Sequence, residues 1–178
     1  MTPVVKIICE NNGSELTVNI GTDLSEVVDM LALNNPQPFL AAFVNNRIKE
    51  LNYKIYKPVS VRFFDITHFE GTRVYQRTLF FIMHKAVHDL YPDATFSIKH
   101  SASKGFYCEI DGHDELSDEQ IAQIKQRMDE IIAADIPIVR ERLLASEVEE
   151  IYSKLGFDDK IALLRTRPRL YADVYRMA

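Results

Sequence analysis

GTRVYQRTLFFIMHKAVHDLYP, residues 71–92, is the stretch that decides the fold, because it separates two groups of strands. Apolar residues recur in it at intervals of three and four, which predicts a helix with one broad face toward a core. The core-facing positions are Tyr75, Leu79, Ile82, Met83, Ala86 and Leu90. A second ridge beside them, at the same helical spacing, holds Arg77, Phe81, His84 and His88. We therefore predict one continuous helix over about 72–91.

Residues 1–67, before this helix, carry the signals of a small β-grasp unit. Asn11-Asn12-Gly13 and Asn45-Asn46 are typical of tight turns between strands. Thr22 is a candidate helix cap ahead of apolar residues at helical spacing, and that helix is expected to end near Asn34. The predicted strands are 4–9, 15–20, 39–44, 47–51 and 59–66.

The residues after the helix predict a second unit of mixed strands and helices. Ser117 and Gln120 form a capping-box pattern before a run with a buried isoleucine side. Ser146 and Glu149 repeat the pattern, and Gly156 fits the position just beyond the second helix. The predicted strands are 95–99, 106–110 and 137–143, and no element is predicted in the basic tail 160–178.

Composition describes an ordinary globular protein of one domain or two small ones, with 178 residues, 47% hydrophobic and 26% charged. No apolar run is long enough to span a membrane and no secretory leader opens the sequence, so a cytoplasmic location is predicted. The net charge of −5 argues against wholesale nucleic-acid binding but leaves room for basic patches. Cys9 and Cys108 match no metal spacing, so we expect buried free thiols.

Several runs of this sequence resemble the front end of threonyl-tRNA synthetases. Residues 3–67, with the strand–turn–strand run FVNNRIKELNYKI, resemble the TGS domain, a ubiquitin-like β-grasp module. Residues 71–155 resemble the second, editing domain through GTRVYQR, HDLYPDATFSIK, KGFYCEIDG and LSDEQIAQIKQRMDEII. The resemblance implies an α+β fold: a TGS-like domain over 1–67, then an editing-like α+β domain over 71–178 that is truncated at its C-terminus.

The resemblance also implies that the editing chemistry is lost. Editing domains of that family carry H-x-x-x-H near the start of this helix and C-x-x-x-H later in the chain. Alignment of GTRVYQR and LYP places Arg77 and Phe81 at the two histidine positions, and neither is a general base. His84 and His88 lie seven residues further along, roughly 10 Å at the rise of a helix. No cysteine begins a C-x-x-x-H, so we predict no catalytic residue.

The same two modules without editing residues resemble the front end of a group of bacterial uridine kinase-like proteins. There they precede a P-loop domain of the uridine kinase and phosphoribulokinase type, and HSASKGFYCEIDGHDELSDEQ carries the likeness. None of the six glycines begins a Walker loop, so no cofactor is expected in this chain, and ATP and Mg only in the kinase domain. The implied partners are that C-terminal domain and a nucleotide, amino acid or RNA ligand, with no membrane.

Two sets of residues are candidates for binding. Arg77, His84, His88 and Lys104 are candidates for a small ligand, because arginine grips phosphate or carboxylate bidentately. Candidates for RNA or a partner are Lys160, Arg165, Arg167 and Arg169. The histidine pair lacks an acidic third ligand, so no metal site is expected. Each set also has an ordinary interpretation as solvated or ion-paired side chains.

Three classes of function stay open. The leading one is a non-catalytic regulatory or ligand- or RNA-binding region of a uridine kinase-like protein. The second is an aminoacyl-tRNA editing hydrolase with a site rearranged around His84 and His88. The third is a structural or oligomerisation module without a ligand.

Overall fold

A computed structural model describes residues 3–103, 105–112, 115–166 and 168–177. They form a mixed α+β structure, as predicted. Its elements, in order, are β1 (Val4–Cys9), β2 (Glu15–Asn19), α1 (Leu24–Leu31), β3 (Ala41–Val44), β4 (Arg47–Lys49), β5 (Val59–Phe64), α2 (Phe69–Leu90), β6 (Phe96–Ala102), β7 (Gly105–Ile110), α3 (Asp118–Ala133), β8 (Ile138–Leu144), α4 (Ala145–Lys154), α5 (Asp158–Thr166) and β9 (Tyr171–Met177). The chain divides into two compact units, Met1–Ile98 and Lys99–Ala178.

The N-terminal unit contains a five-stranded sheet in the order β2-β1-β5-β3-β4. β1 pairs antiparallel with β2 and parallel with β5, while β3 runs antiparallel to both of its neighbours. The parallel pair requires a crossover connection, which α1 and the β3–β4 hairpin supply. A mixed sheet of this order with one helix after the first hairpin is the β-grasp arrangement that the sequence predicts.

The core of this sheet follows from the alternation of side chains along β1. Val5, Ile7 and Cys9 are buried while their neighbours face solvent, as the two-residue period of a strand requires. Leu24 and Val27 of α1 belong to the same buried cluster. Cys9 is a buried free thiol as expected, whereas the free thiol Cys108 in the second unit is only half-buried.

The local signals for turns and caps are confirmed at one place and corrected at another. Asn45 and Asn46 both adopt positive φ, 46° and 63°, the conformation of a tight hairpin turn. The cap of α1 is Asp23, so the prediction of Thr22 is wrong. Asp23 accepts from the backbone of Glu26 at 3.0 Å, and Glu26 accepts from Asp23 N at 3.1 Å. Asp23 can form this reciprocal pair because a glutamate follows it by three residues, whereas a serine stands in that place for Thr22.

α2 is one continuous helix, as predicted, and begins at Phe69 beside the end of β5. Gly71 lies so close to the preceding chain that a Cβ there would be 1.7 Å from the carbonyl oxygen of Asp65. The Asp65 carboxylate accepts from Thr67 N at 2.8 Å, from Thr67 Oγ1 at 2.6 Å and from Asn35 Nδ2 at 2.8 Å. We call this arrangement of Asn35, Asp65, Thr67 and Gly71 the Asp65 junction.

The predicted core-facing stripe of α2 is only partly buried. Ala86 is fully buried, and Val87, which the stripe omits, is 1% exposed. Leu79, Ile82 and Met83 are half-buried, whereas Tyr75 and Leu90 are exposed. The compact units group α2 with the N-terminal sheet, and the domain bounds 1–67 and 71–178 stay predictions.

The second unit contains the two-stranded sheet β8–β9 and the helices α3, α4 and α5. Ser117 and Gln120 form the predicted capping box of α3. The second predicted box is wrong: α4 begins at Ala145 because the chain passes directly out of β8, and Glu147 accepts from Leu144 N at 2.9 Å. Gly156 follows α4 with φ of 70°, as expected. The tail is not structureless, since it forms α5 and then β9, which pairs with all seven residues of β8.

Replacing Asp65 with asparagine is expected to lower stability in a pH-dependent way. Hydrogen bonds from the Thr67 hydroxyl, Asn35 and the Thr67 amide hold the pKa of Asp65 below its ordinary value. The carboxylate therefore stabilises the fold above its unfolded pKa of about 3.9, and this contribution is lost as the pH falls through the folded pKa. Urea unfolding of both proteins at neutral pH and near pH 3 measures the difference, which should be largest at neutral pH.

Asp29→Asn is the matched control for this experiment, because Asp29 is an exposed carboxylate on α1. It should unfold like the wild type at both pH values. If the loss of stability in the Asp65→Asn variant is unchanged or larger at acid pH, the role assigned to the carboxylate is contradicted.

Candidate ligand-binding sites

Three of the predicted ligand residues lie along one helix, α2. Arg77 is exposed, whereas His84 and His88 are half-buried. Phe81, which lies between Arg77 and His84 on the helix, is also half-buried. We call these four side chains the α2 ridge. The ring of His84 meets the ring of Phe96 edge-on, with centroids 6.1 Å apart. His84 is therefore packed against an aromatic side chain.

The charged residues around the ridge are mostly paired within α2. Arg73 forms an ion pair with Glu70 at 3.3 Å, and Lys85 pairs with Asp89 one turn later. Within the described part of the chain, the Arg77 side chain makes neither a hydrogen bond nor an ion pair. Arg77 is thus a cation that can receive an anion without first breaking a salt bridge.

The predicted basic cluster of the tail has a more ordinary environment. Lys160 pairs with Asp159 at 2.7 Å, and Arg165 pairs with Glu149 at 3.3 Å. These pairs neutralise two of the four cations and favour the interpretation as a solvated face. Lys104 and Arg167 lie outside the described residues. Arg169 differs from the others, because it lines a cleft.

That cleft has a volume of about 640 Å³ and lies within the second unit. Arg142 of β8 and Tyr171 of β9 line it, together with Arg169 from the segment before β9. Leu163 and Leu164 of α5 form an apolar wall. We call it the arginine cleft. Its volume falls within the range of small-molecule sites.

The sheet beside the cleft presents arginines and tyrosines on one face. Pairing places Arg140 opposite Tyr175 and Arg142 opposite Asp173. Arg142 lies over the ring of Tyr171, 5.3 Å from its centroid, and Arg140 binds Asp173 at 2.9 Å. That hydrogen bond, followed by the charges of Arg140, Arg142 and Arg169, holds the pKa of Asp173 below its ordinary value. Asp173 is thus ionised and engaged by Arg140.

The residues Arg142 and Tyr171 are absent from the set proposed from the sequence, although a signal for them exists. In YADVYRM, Tyr171, Asp173 and Tyr175 alternate with Ala172 and Val174. Such two-residue alternation predicts a strand and would place both tyrosines on one face. In VRERL, the arginines of β8 alternate in the same way.

No three His, Cys, Asp or Glu side chains in the described part of the chain come together as a metal site would require. Among those same residues, no helix has the length and apolar character needed to cross a membrane.

The known proteins to which this chain is similar include threonine–tRNA ligases of several bacteria. No family model matches the chain. It is 27% identical over 157 residues to a threonine–tRNA ligase of Clostridium kluyveri, an alignment that covers 88% of this chain and 25% of the ligase. It is 28% identical over 165 residues to that of Desulforamulus reducens, with 93% of this chain and 26% of the ligase covered. A ligase of Syntrophomonas wolfei is 28% identical over 157 residues, 88% of this chain and 25% of the ligase.

The chain spans about a quarter of the length of these curated relatives. These comparisons do not show a relation to uridine kinase-like proteins. What the comparisons support is the coarser statement: the chain is a threonyl-tRNA synthetase-like region.

Proposed function

We propose that this chain is a non-catalytic binding region, related to the TGS and editing domains of threonyl-tRNA synthetases, that does not hydrolyse aminoacyl-tRNA. The observation that carries the proposal is the identity of two side chains on the α2 ridge. Arg77 and Phe81 occupy the positions at which the resemblance implies histidines. An arginine stays protonated and a phenylalanine has no proton to exchange, so neither can act as a general base.

The histidines of the ridge are poorly placed to replace that pair. His84 follows Arg77 by seven residues, which is roughly 10 Å along a helix and about two turns. A scissile ester held near Arg77 would have to move by that distance, because a general base acts within hydrogen-bond reach. His84 also packs edge-on against the ring of Phe96. The rearranged-hydrolase alternative is therefore the weaker one.

The binding that remains is expected to be directed at an anion. Arg77 is exposed, and within the described residues its side chain has no hydrogen-bonded or ionic partner. A guanidinium binds phosphate or carboxylate oxygens in pairs. The ligand classes that fit are therefore the phosphates of a nucleotide or RNA and the carboxylate of an amino acid.

We further propose that the chain accompanies a P-loop nucleoside kinase domain of the uridine kinase type in a cytoplasmic protein. The run HSASKGFYCEIDGHDELSDEQ supports this proposal, and ATP and Mg would be bound by the kinase domain. The complete reading frame is the direct test. A downstream G-x-x-x-x-G-K-[ST], in a protein that phosphorylates uridine, would support the proposal. A ligase catalytic domain in its place would contradict it.

The absence of editing can be tested with seryl-tRNA that has been charged on threonine tRNA. At high protein concentration we expect hydrolysis at the spontaneous rate, since no general base stands at Arg77 or Phe81. An editing-competent threonyl-tRNA synthetase is the positive control. Turnover above the spontaneous rate that disappears in His84→Ala would contradict the proposal and favour the rearranged hydrolase.

A further inference from the structure

We infer that the arginine cleft binds a nucleotide unit, with its phosphate on Arg142 and Arg169 and its base against the apolar wall. This goes beyond the proposed function, because the cleft belongs to a different part of the sequence from the α2 ridge and does not depend on the loss of hydrolysis. The inference rests on charge, on the lining of the cleft and on its volume.

The charge of the cleft fits a dianion. Asp173, the carboxylate of the lining, forms an ion pair with Arg140 at 2.9 Å. That ion pair does not include Arg142 or Arg169, so it leaves their two positive charges for a ligand. Within the described part of the chain, neither of these two arginines forms an ion pair within 4.0 Å. A phosphate monoester carries about −1.5 to −2 charges near neutral pH and therefore matches two guanidinium groups. A bare carboxylate would leave one of them without a counter-charge.

The rest of the lining fits a ring rather than an ion alone. Leu163 and Leu164 form the wall contributed by α5, and Tyr171 is 45% exposed. Arg142 already lies over the ring of Tyr171, 5.3 Å from its centroid, an arrangement that holds its guanidinium in place. Flat, apolar-faced bases pack on such surfaces of tyrosine, arginine and aliphatic side chains. A phosphate joined to a base would use both halves of the lining.

Two contacts connect the elements that form the walls of the cleft. The backbone N–H of Ala145 donates to the carbonyl of Leu170 at 3.0 Å, which joins the start of α4 to the entry of β9. Arg165 bridges to Glu149 at 3.3 Å, which joins α5 to α4. The walls are thus connected to one another, and little ordering energy has to be supplied on binding.

Titration of the whole chain with uridine monophosphate, uridine and inorganic phosphate tests the inference. We expect the monophosphate to bind at least tenfold more tightly than either of the other two. Arg169→Gln should weaken its binding about tenfold or more, equivalent to about 1.4 kcal/mol. Arg142→Gln should do the same, and Arg169→Gln remains informative if loss of the Tyr171 contact unfolds the Arg142 variant. Arg176→Gln, which removes an arginine paired with Glu141 outside the cleft lining, is the matched control and should bind like the wild type.

A single-stranded RNA oligomer with and without a 5′-phosphate distinguishes the sources of the nucleotide. Preference for free monophosphate indicates a small-molecule ligand, and preference for the phosphorylated oligomer indicates an RNA end; both support the inference. It is overturned if no phosphate ester binds, if inorganic phosphate binds as tightly as the monophosphate, or if Arg169→Gln changes nothing. Hydrolysis of seryl-tRNA would contradict the proposed function alone, so the two failures are distinguishable.

Discussion

Alanine in place of Gly71 is expected to destabilise the N-terminal unit more than any surface substitution. The added Cβ would lie 1.7 Å from the carbonyl oxygen of Asp65 and 2.6 Å from its carbonyl carbon. Both atoms are backbone, so the start of α2 or the end of β5 has to move. Overpacking typically costs about 1–3 kcal/mol and occasionally more, and we expect about 3 kcal/mol or more here. Urea and thermal unfolding of purified protein measure the loss.

Gly105→Ala is the matched control, since a Cβ at Gly105 would meet its nearest neighbour, the carbonyl oxygen of Ala102, at an ordinary 3.8 Å. It should unfold within about 0.5 kcal/mol of the wild type, as surface substitutions usually do. If Gly71→Ala is equally mild, the close approach at the Asp65 junction is wrong.

The second large effect is expected from Ile55→Ala in the core of the β-grasp unit. Ile55 is fully buried among the residues of the sheet and α1. Its truncation removes apolar contacts and leaves a cavity, for which the cost is about 2–5 kcal/mol. The free energy of unfolding in urea, followed by circular dichroism, measures the effect.

Ile48→Ala separates the cavity from the change of residue type, because Ile48 on β4 is 42% exposed. It should cost about 1 kcal/mol or less, in proportion to the smaller apolar area that it covers. Equal losses at both positions would show that the core is not centred where the structure places it.

The fold could be predicted well where the signal is local. The apolar alternation of Val5, Ile7 and Cys9 needs no information beyond neighbouring residues, and Asn45-Asn46 defines its turn in the same way. The cap at Asp23 can also be read from the sequence, because Asp23, unlike Thr22, has a glutamate three residues later.

Prediction failed where the partner is distant or the pattern is coincidental. Ser146 and Glu149 match a capping box, yet α4 starts earlier because β8 ends at Leu144. The alternation of YADVYRM favours a strand, but its partner β8 lies about thirty residues away, so the pairing cannot be read from this segment alone.

The same distinction applies to the candidate sites. The α2 ridge follows from helical spacing alone, so Arg77, His84 and His88 could be placed on one helix in advance. The arginine cleft depends on a register that sets Arg142 opposite Asp173, and on α5 closing one side. The strands can be read from their own segments, but neither the register nor the position of α5 can, so the set proposed from the sequence contains only Arg169 of this lining.

The strand order of the β-grasp sheet has a consequence for synthesis on the ribosome. β5, the last strand made, lies in the centre of the sheet, where Val59 pairs with Ile7 and Phe63 pairs with Ala42. The β1–β2 and β3–β4 hairpins can form as they emerge, but they have no common partner until residues 59–64 have left the exit tunnel. Because such long-range pairing sets the pace of folding, the nascent chain must pass through a stage in which both hairpins expose an unpaired edge. Completion of this sheet therefore has to wait for β5, which comes directly before α2 in the chain.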